Sequence, residues 1–568
     1  MIDIYPEDRL DLERYTLDHF FERIQAKYGP LTALATVGET PITYAELGER
    51  VANLQEVLRQ AGIKKGSRVV ILGPSSPNWG IAFLAVVTMG AVAVPVMDEF
   101  PDVDIEHIIQ HAEVQATFTT ESLFQSLSTP SLQNGQPVFN LKDFSVLSGS
   151  APSTFWSDVQ TRIKAGRDGH GGDPEISEDD LALILYTSGT TGHSKGVMLT
   201  HKNLVTNLMS GPYIVGTIDE NSVMLGILPL AHAFGLITTF LAPMYCGATT
   251  YYLDKKPSPR ILLRAMQEVR PTVMGAVPLI FEKIYQNQIM STISRNKALS
   301  LATRIPGVKK GFYKLAGRKI KQAFGGRLDT VFIGGASINR EVEVFLRTAG
   351  IPYTCGYGLS ECSPIVSGVA PHEHRIGAVG RAIPGVSIKI ADPDPATGVG
   401  EILVKGPNVM RGYYKNEAAT QRVFTEDGWL ITGDRGYLDE DGFLYIRGRS
   451  KNVIVGPSGE NIYPEIIEDL LRESLYVEEA LVYMADRQLV ARIYPNYAYI
   501  QGLYPNKDES DLADDIARIL ENVRRETNER LPAFSQIQRV IEQRTPFLKT
   551  PTQKIKRAEY VPDYLSVK

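Results

Sequence analysis

The chain has 568 residues, more than one ordinary hydrophobic core organises, so two or more domains are expected. With 43% hydrophobic and 22% charged residues it reads as a globular protein, not a disordered or fibrous one. A formal net charge of −6 argues against nucleic acid as a partner. Cys246, Cys355 and Cys362 have neither metal-ligand spacing nor the density of a disulfide framework, as suits a reducing cytoplasm.

The first eight residues are acidic and lack the basic and apolar regions of a secretory signal. Leu17, Phe20, Phe21 and Ile24 recur at helical spacing within 16–28, and a second helix is expected to begin at Ile42 and run through Val51, Leu54 and Leu58. A strand follows at 66–73, and helix and strand patterns alternate through Phe118, the signature of a mostly parallel, helix-covered sheet. The stretch 80–97 carries no charge and is nearly long enough to span a bilayer. Gly90 and Pro95 punctuate it, so the expected form is a buried helix turning into a strand. Residues 129–179, rich in Ser, Gly, Asp and Pro, read as an irregular surface connection.

That connection leads to Leu181-Ala-Leu-Ile-Leu-Tyr-Thr-Ser-Gly-Thr-Thr-Gly-His-Ser-Lys-Gly196, a short buried strand feeding a loop. Thr187, Ser188, Thr190 and Thr191 surround Gly189 and Gly192, and Lys195 follows. Bare glycines let backbone N–H groups approach an anion, hydroxyls add donors, and the lysine supplies charge, so the loop suits a polyphosphate. It is not the common P-loop, because Ser194 precedes Lys195 and Gly196 follows it.

A helix is expected at 200–209. Residues 221–253 hold no Lys, Arg, Asp or Glu, yet Pro229, Gly235, Pro243 and Gly247 interrupt them too often for one membrane helix. Within them Leu-Pro-Leu-Ala-His-Ala-Phe-Gly235 reads as a strand ending at Pro229, with His232 in a small-residue turn; taken alone, such a histidine is more often a packed core group than a functional one. Residues 271–285 read as strand, turn and helix start. From Lys283 to Arg327 there are eleven Lys and Arg, with no Asp or Glu as far as Leu328. This basic segment is open to four readings: a solvated face, a contact with an anionic membrane surface, a site for CoA phosphates, or a dock for an acidic carrier protein. Two strand-and-turn units follow, one ending at Gly335-Ala336-Ser337 and one at Gly356-Tyr-Gly-Leu-Ser-Glu361. A hairpin is expected around Asp441-Gly442, and a last unit with strands at 478–484 and 488–494 and helices at 466–473 and 511–530.

Taken together, these motifs resemble those of the adenylate-forming superfamily of acyl-CoA synthetases, peptide-synthetase adenylation domains and luciferases. Tyr-Thr-Ser-Gly-Thr-Thr-Gly-x-x-Lys-Gly is similar to its phosphate loop, Tyr357-Gly-Leu-Ser-Glu361 to its Tyr-Gly-x-Thr-Glu motif, and Gly428-Trp-Leu-Ile-Thr-Gly-Asp434 to its ribose motif. Gly448-Arg-Ser-Lys451 resembles its hinge, and Pro546 to Lys554 its final lysine motif, with Gln553 in place of the usual glycine. Val277-Pro-Leu-Ile-Phe-Glu-Lys-Ile-Tyr285 is similar to the fatty acyl-CoA synthetase branch.

The resemblance implies an α/β fold: a large N-terminal domain of packed, mostly parallel α/β subdomains (1–449) and a small mobile α+β C-terminal domain (450–568). It implies ATP on Thr187–Gly192 and Lys195, and adenine beside Gly335, Ala336 and Ser337 with Tyr357 and Gly358. Ser360 would hold the α-phosphate, Asp434 and Arg449 the ribose, and Glu361 with Thr187 a Mg²⁺ ion. It further implies His232 at the carboxylate site, Lys451 as hinge and Lys554 as the lysine that serves adenylation. The implied reaction is activation of a medium- or long-chain fatty acid by ATP and transfer to CoA. Alternatives are an enzyme stopping at acyl-AMP or passing the acyl group to an acyl carrier protein, a luciferase-like oxidase, and a non-catalytic nucleotide binder. The expected location is cytoplasmic, with the membrane reading of the basic segment adding peripheral contact at the inner membrane face.

Overall fold

In the computed structural model, which describes residues 8–133, 135–149, 175–187, 194–216, 218–456, 460–504, 512–550 and 554–561, the uncharged stretch 80–97 becomes an internal layer. Helix Pro77–Val87 is capped by Ser76, whose side chain accepts from the Trp79 N–H, and Pro77 opens its first turn. Every residue from Trp79 to Val87 is buried. The helix touches strands of two different sheets, which is why it carries no polar face. A Cβ on Gly80 would lie 2.7 Å from the ring of Phe240, so glycine sets this close approach. No helix among the described residues is long and apolar enough to cross a membrane.

The first sheet has eight strands in the order Gly412–Tyr413, Lys195–Thr200, Leu181–Thr187, Val92–Val96, Arg68–Leu72, Ala116–Thr119, Val138–Asn140 and Val146–Ser148. Its centre is parallel and both its edges are antiparallel. The second has seven, in the order Tyr353–Cys355, Thr330–Ile333, Val273–Ala276, Val223–Gly226, Thr249–Tyr252, Thr32–Thr36 and Ile42–Thr43, parallel up to an antiparallel last pair. The larger part also holds a three-stranded antiparallel sheet, Tyr357–Gly358, Ile365–Gly368 and Arg381–Ala382, and a four-stranded one, Ser387–Ala391, Gly400–Lys405, Leu430–Leu438 and Leu444–Arg449. Beyond it, strands Val477–Ala485, Gln488–Pro495 and Arg539–Glu542 pack with helices Pro464–Arg472 and Ala513–Asn528 around a separate core of Ile467, Leu471, Val482, Ala491, Ile516 and Leu520. The fold is thus α/β, with a large amino-terminal and a small carboxy-terminal portion, as the motifs implied.

Three local expectations need correction. Ile42 and Thr43 form a short edge strand, and the helix starts at Tyr44, because Thr43 and Glu46 close a capping box. The irregular connection contributes strands Val138–Asn140 and Val146–Ser148 to the sheet; each is three residues, too short to show a period. The strand before His232 ends at Gly226, and His232 is the N-cap of helix Ala233–Leu236, its ring nitrogen replacing a hydroxyl cap.

Candidate active site

The described site residues converge on one cleft of about 3290 Å³, several times the roughly 300–1,000 Å³ of a single small-molecule pocket. Thr187 ends its strand and pairs with Lys195 across the hairpin, so both reach the cleft from one sheet edge. Ser188, Gly189, Thr190, Thr191 and Gly192 lie outside the described residues. Beside Lys195, the Ser194 hydroxyl is buried without a hydrogen-bond partner among the described residues. The Lys195 ammonium lies 5.0 Å from the ring centre of Tyr413, whose strand pairs with that of Lys195. The Tyr413 hydroxyl donates to Glu361 Oε1 at 2.9 Å. Tyr413 thereby joins the phosphate-loop strand to the candidate metal carboxylate.

On the opposite wall, Gly335 has φ +86° and a Cβ there would meet only Val277 Cγ1 at 3.8 Å, leaving room for a flat ring against bare backbone. Ala336 continues this wall. Gly358 admits no side chain, since a Cβ would fall 2.0 Å from the Pro364 carbonyl oxygen. Ser360, in the turn Ser360–Cys362, and Glu361 face the same space. Asp434 and Arg449 are register partners on adjacent strands. The Tyr357 hydroxyl donates to Asp434 Oδ2 at 2.7 Å and Arg449 Nε pairs with Oδ1 at 2.8 Å, so both oxygens of the buried carboxyl are held in place.

Lys554 arrives from the small portion. It rides a hairpin in which Thr550 N–H donates to the Lys554 carbonyl at 2.8 Å and Lys556 N–H to the Leu548 carbonyl at 2.8 Å. Gln553 lies outside the described residues. Burial and then Arg449 push the Lys554 ammonium below the usual lysine range, while Asp434 and Glu361 oppose them. Lys451, in the turn Ser450–Asn452, is pushed down to about 8 by burial, Arg449, Lys554 and Arg557. Burial and Lys554 push His232 down to about 4. Its Nδ1 accepts from the Phe234 N–H at 3.2 Å, which leaves Nε2 as the protonated nitrogen of a neutral ring. A neutral donor beside a lysine suits a carboxylate that must remain nucleophilic.

From His232 and Val277 an apolar arm of the cleft runs along Met266, Ile289, Phe312, Ile320 and Phe324. Its walls are helices Pro259–Val269, Pro278–Ile284 and Pro306–Ala323, with a π-helical turn at Tyr285–Met290. Charged groups at one end and an apolar arm at the other fit a long amphipathic acid.

Ser337 lines the same cleft as Gly335 and Ala336, and its hydroxyl donates to Asp469 Oδ2 at 3.2 Å, in the small portion. The Asn339 side chain donates to the Asp469 carbonyl at 3.3 Å, and Arg472 reaches Glu282 at 3.5 Å. The turn at 335–339 is therefore also a docking point for helix Pro464–Arg472. Sequence reasoning missed Tyr413, Glu282 and this seam. Tyr413 follows Met-Arg-Gly and carries no local chemical signal; only its strand pairing reveals it.

Residues 21–414 match the family described as AMP-binding enzyme, and residues 451–567 match the AMP-binding enzyme C-terminal domain. The chain belongs to the AMP-binding enzyme family. It is 32% identical over 466 residues to a long-chain-fatty-acid–CoA ligase of Mycobacterium bovis, covering 78% of this chain and 75% of that one. It is 27% identical over 624 residues to a chloroplastic long-chain-fatty-acid–[acyl-carrier-protein] ligase of Arabidopsis thaliana, covering 95% and 84%. In three dimensions it resembles the anthranilate CoA ligase AuaEII in complex with anthranoyl-AMP, with a TM-score of 0.77, 19% identity and 97% of both chains covered.

Proposed function

We propose that this chain is an AMP-forming acid–thiol ligase that activates medium- or long-chain fatty acids and transfers them to CoA. The observation that carries the reading is the joining of a cationic nucleotide cradle to an apolar arm, with Lys554 and His232 at the junction. The carboxylate oxygen attacks the α-phosphorus of ATP and pyrophosphate leaves, giving acyl-AMP. The CoA sulfur then attacks the acyl carbonyl, AMP leaves and the thiol proton passes to solvent. Splitting the reaction turns a poor electrophile into a mixed anhydride with a good leaving group.

Negative charge concentrates at the α-phosphorus, so fixed cations dominate the first step. Lys195 and the buried Ser194 hydroxyl suit the outer phosphates. Lys554 suits the carboxylate and α-phosphate; Ser360 supports the latter. His232 Nε2–H donates to the incoming carboxylate. Tyr357 and the Gly335–Ala336 backbone take adenine, and Asp434 with Arg449 the ribose. Glu361 and Thr187 offer hard oxygens that fit Mg²⁺, and Tyr413 orients the Glu361 carboxylate. When bound, Mg²⁺ neutralises phosphate charge. We assign residues 1–449 to the adenylation domain and 450–568 to a mobile domain turning at Lys451, so that Lys554 withdraws before CoA attacks.

The basic segment fits an anionic lipid surface. Leu315, 53% exposed, lies among Lys309, Lys310, Lys314 and Arg318 on helix Pro306–Ala323, which also walls the acyl arm, and Leu301 and Ile305, 66% and 59% exposed, precede that helix. An acyl carrier protein is the competing partner, supported by the acyl-carrier-protein ligase among the relatives.

The deciding test is ATP–pyrophosphate exchange with acids from acetate to oleate, repeated with CoA while acyl-CoA is followed by mass. Exchange with long chains and CoA-dependent acyl-CoA is the expected result. Exchange without acyl-CoA would move the acceptor to a carrier protein, and no exchange with any acid would overturn the ligase reading.

A further inference from the structure

The lysine that reaches the cleft is held by a buried ion-pair network three residues away. Arg557 Nη2 donates to both oxygens of Glu468, at 2.7 and 2.6 Å, and Nη1 to the Val482 carbonyl at 3.3 Å. Glu468 Oε1 also accepts from the Val482 N–H at 2.7 Å, which locks helix Pro464–Arg472 to strand Val477–Ala485. Arg557 Nη2 lies 3.8 Å from Glu465 Oε1, and that same oxygen accepts from the Asn452 side chain, next to Lys451. One guanidinium therefore ties the turn at 450–452, the helix above it and the hairpin of Lys554 into one body.

Fold stability alone is a weak reason for such a network. Two carboxylates and a guanidinium are costly to desolvate, and apolar side chains of similar volume often stabilise as well. Burial pushes the Glu468 carboxyl upward and Arg557 opposes it, so the ion exists at the expense of solvation. What an apolar replacement cannot supply is a directional link. The hairpin bonds between 548–550 and 554–556 transmit the Arg557 position to Lys554 across about 10 Å of chain.

We propose that Arg557, clamped by Glu468 and Glu465, is a positioning residue for the adenylation half-reaction: it fixes where the Lys554 ammonium stands. The proposal rests on the function given above.

The test compares R557A, R557K, E468Q, K554A and the double variant R557A/K554A with the unaltered enzyme. Pyrophosphate exchange with palmitate reads adenylation; thioester formation from presynthesised palmitoyl-AMP and CoA reads the second step. R557A should lose exchange by tens of fold, toward the roughly hundredfold expected for loss of a positioned catalytic charge. R557A/K554A should be no slower than K554A within about threefold, because Arg557 acts through Lys554. E468Q and R557K should show the same selective loss in smaller measure, and thioester formation should stay within about twofold throughout. Multiplying losses in the double variant would overturn the proposal, as would equal loss of both half-reactions. Should R557A fail to fold, R557K and E468Q decide: full exchange in both overturns the proposal, and loss of exchange with the second step intact supports it. An unaltered enzyme without exchange on any acid would instead sink the ligase reading itself.

Discussion

Two lysines meet in the cleft, and they are held in opposite ways. Lys195 belongs to a strand paired on both sides, against Thr187 in one direction and through Tyr413 in the other. Lys554 hangs on a hairpin whose anchor is one buried ion-pair network in a portion with its own core. One charge is built into the sheet; the other is brought to it. A reaction needing the same cavity for a phosphoryl step and then a thiol step gains from this asymmetry. In the proposed domain motion the nucleotide side would stay assembled while the second charge is withdrawn.

The sharpest way to break the comparison is Lys554→Ala. It should cost roughly a hundredfold or more in pyrophosphate exchange and little in thioester formation from acyl-AMP. Equal loss of both steps would mean that the two lysines are not held for different purposes. Next comes acid stability of the fixed side. His201, directly after the Lys195 strand, is buried and pushed down to about 4, and its Nδ1 accepts from the Leu17 N–H at 3.1 Å. The unfolded chain binds this proton near pH 6.5 and the folded chain only near 4. Its contribution is therefore complete above about pH 6.5 and lost as pH falls toward 4, roughly 3 kcal/mol in all. Urea melts between pH 7.5 and 4.5 should show this slope, and His201→Asn should flatten it.

A smaller effect sharpens the comparison within the rigid side. Tyr413→Phe removes the hydroxyl on Glu361 while keeping the ring beneath Lys195, and should cost about 1 kcal/mol, a factor of several in kcat/KM for ATP. The smallest effect concerns the seam between the two portions. Arg472 pairs with Asp469 as well as Glu282, so Arg472→Ala frees both carboxylates from their cation and should slow adenylation a few-fold relative to thioester formation. A parallel change in both steps would show that the seam serves folding alone.

Much of this site was legible in the chain because its motifs are local. A Gly/Thr/Ser loop before a lysine, a Ser-Glu turn and an Asp at a strand end each state their chemistry within a dozen residues. The uncharged run 80–97 was legible as helix then strand from Gly90 and Pro95 alone. What stayed hidden is what depends on pairing between distant segments. Tyr413 matters because an edge strand of two residues brings it to Lys195, 218 positions earlier. Ser337 was read as a nucleotide contact, but nothing local announces that its hydroxyl also binds Asp469, a partner 132 positions away. His232 was read in a turn because a histidine N-cap has no strong sequence signature. The strands at 138–140 and 146–148 are too short to announce themselves and exist because a sheet edge was there to receive them.

The clamp on Asp434 has one more consequence. Its three members, Tyr357, Asp434 and Arg449, all precede the turn at 450–452. The proposed pivot at Lys451 would leave the whole clamp on the stationary side, its grip independent of where the smaller portion points. The activated acid would then never change hands between the two half-reactions: the workpiece would stay in the vice while the tool is exchanged. A hydrolysable anhydride would survive such an exchange because the part that moves would not be the part that holds it.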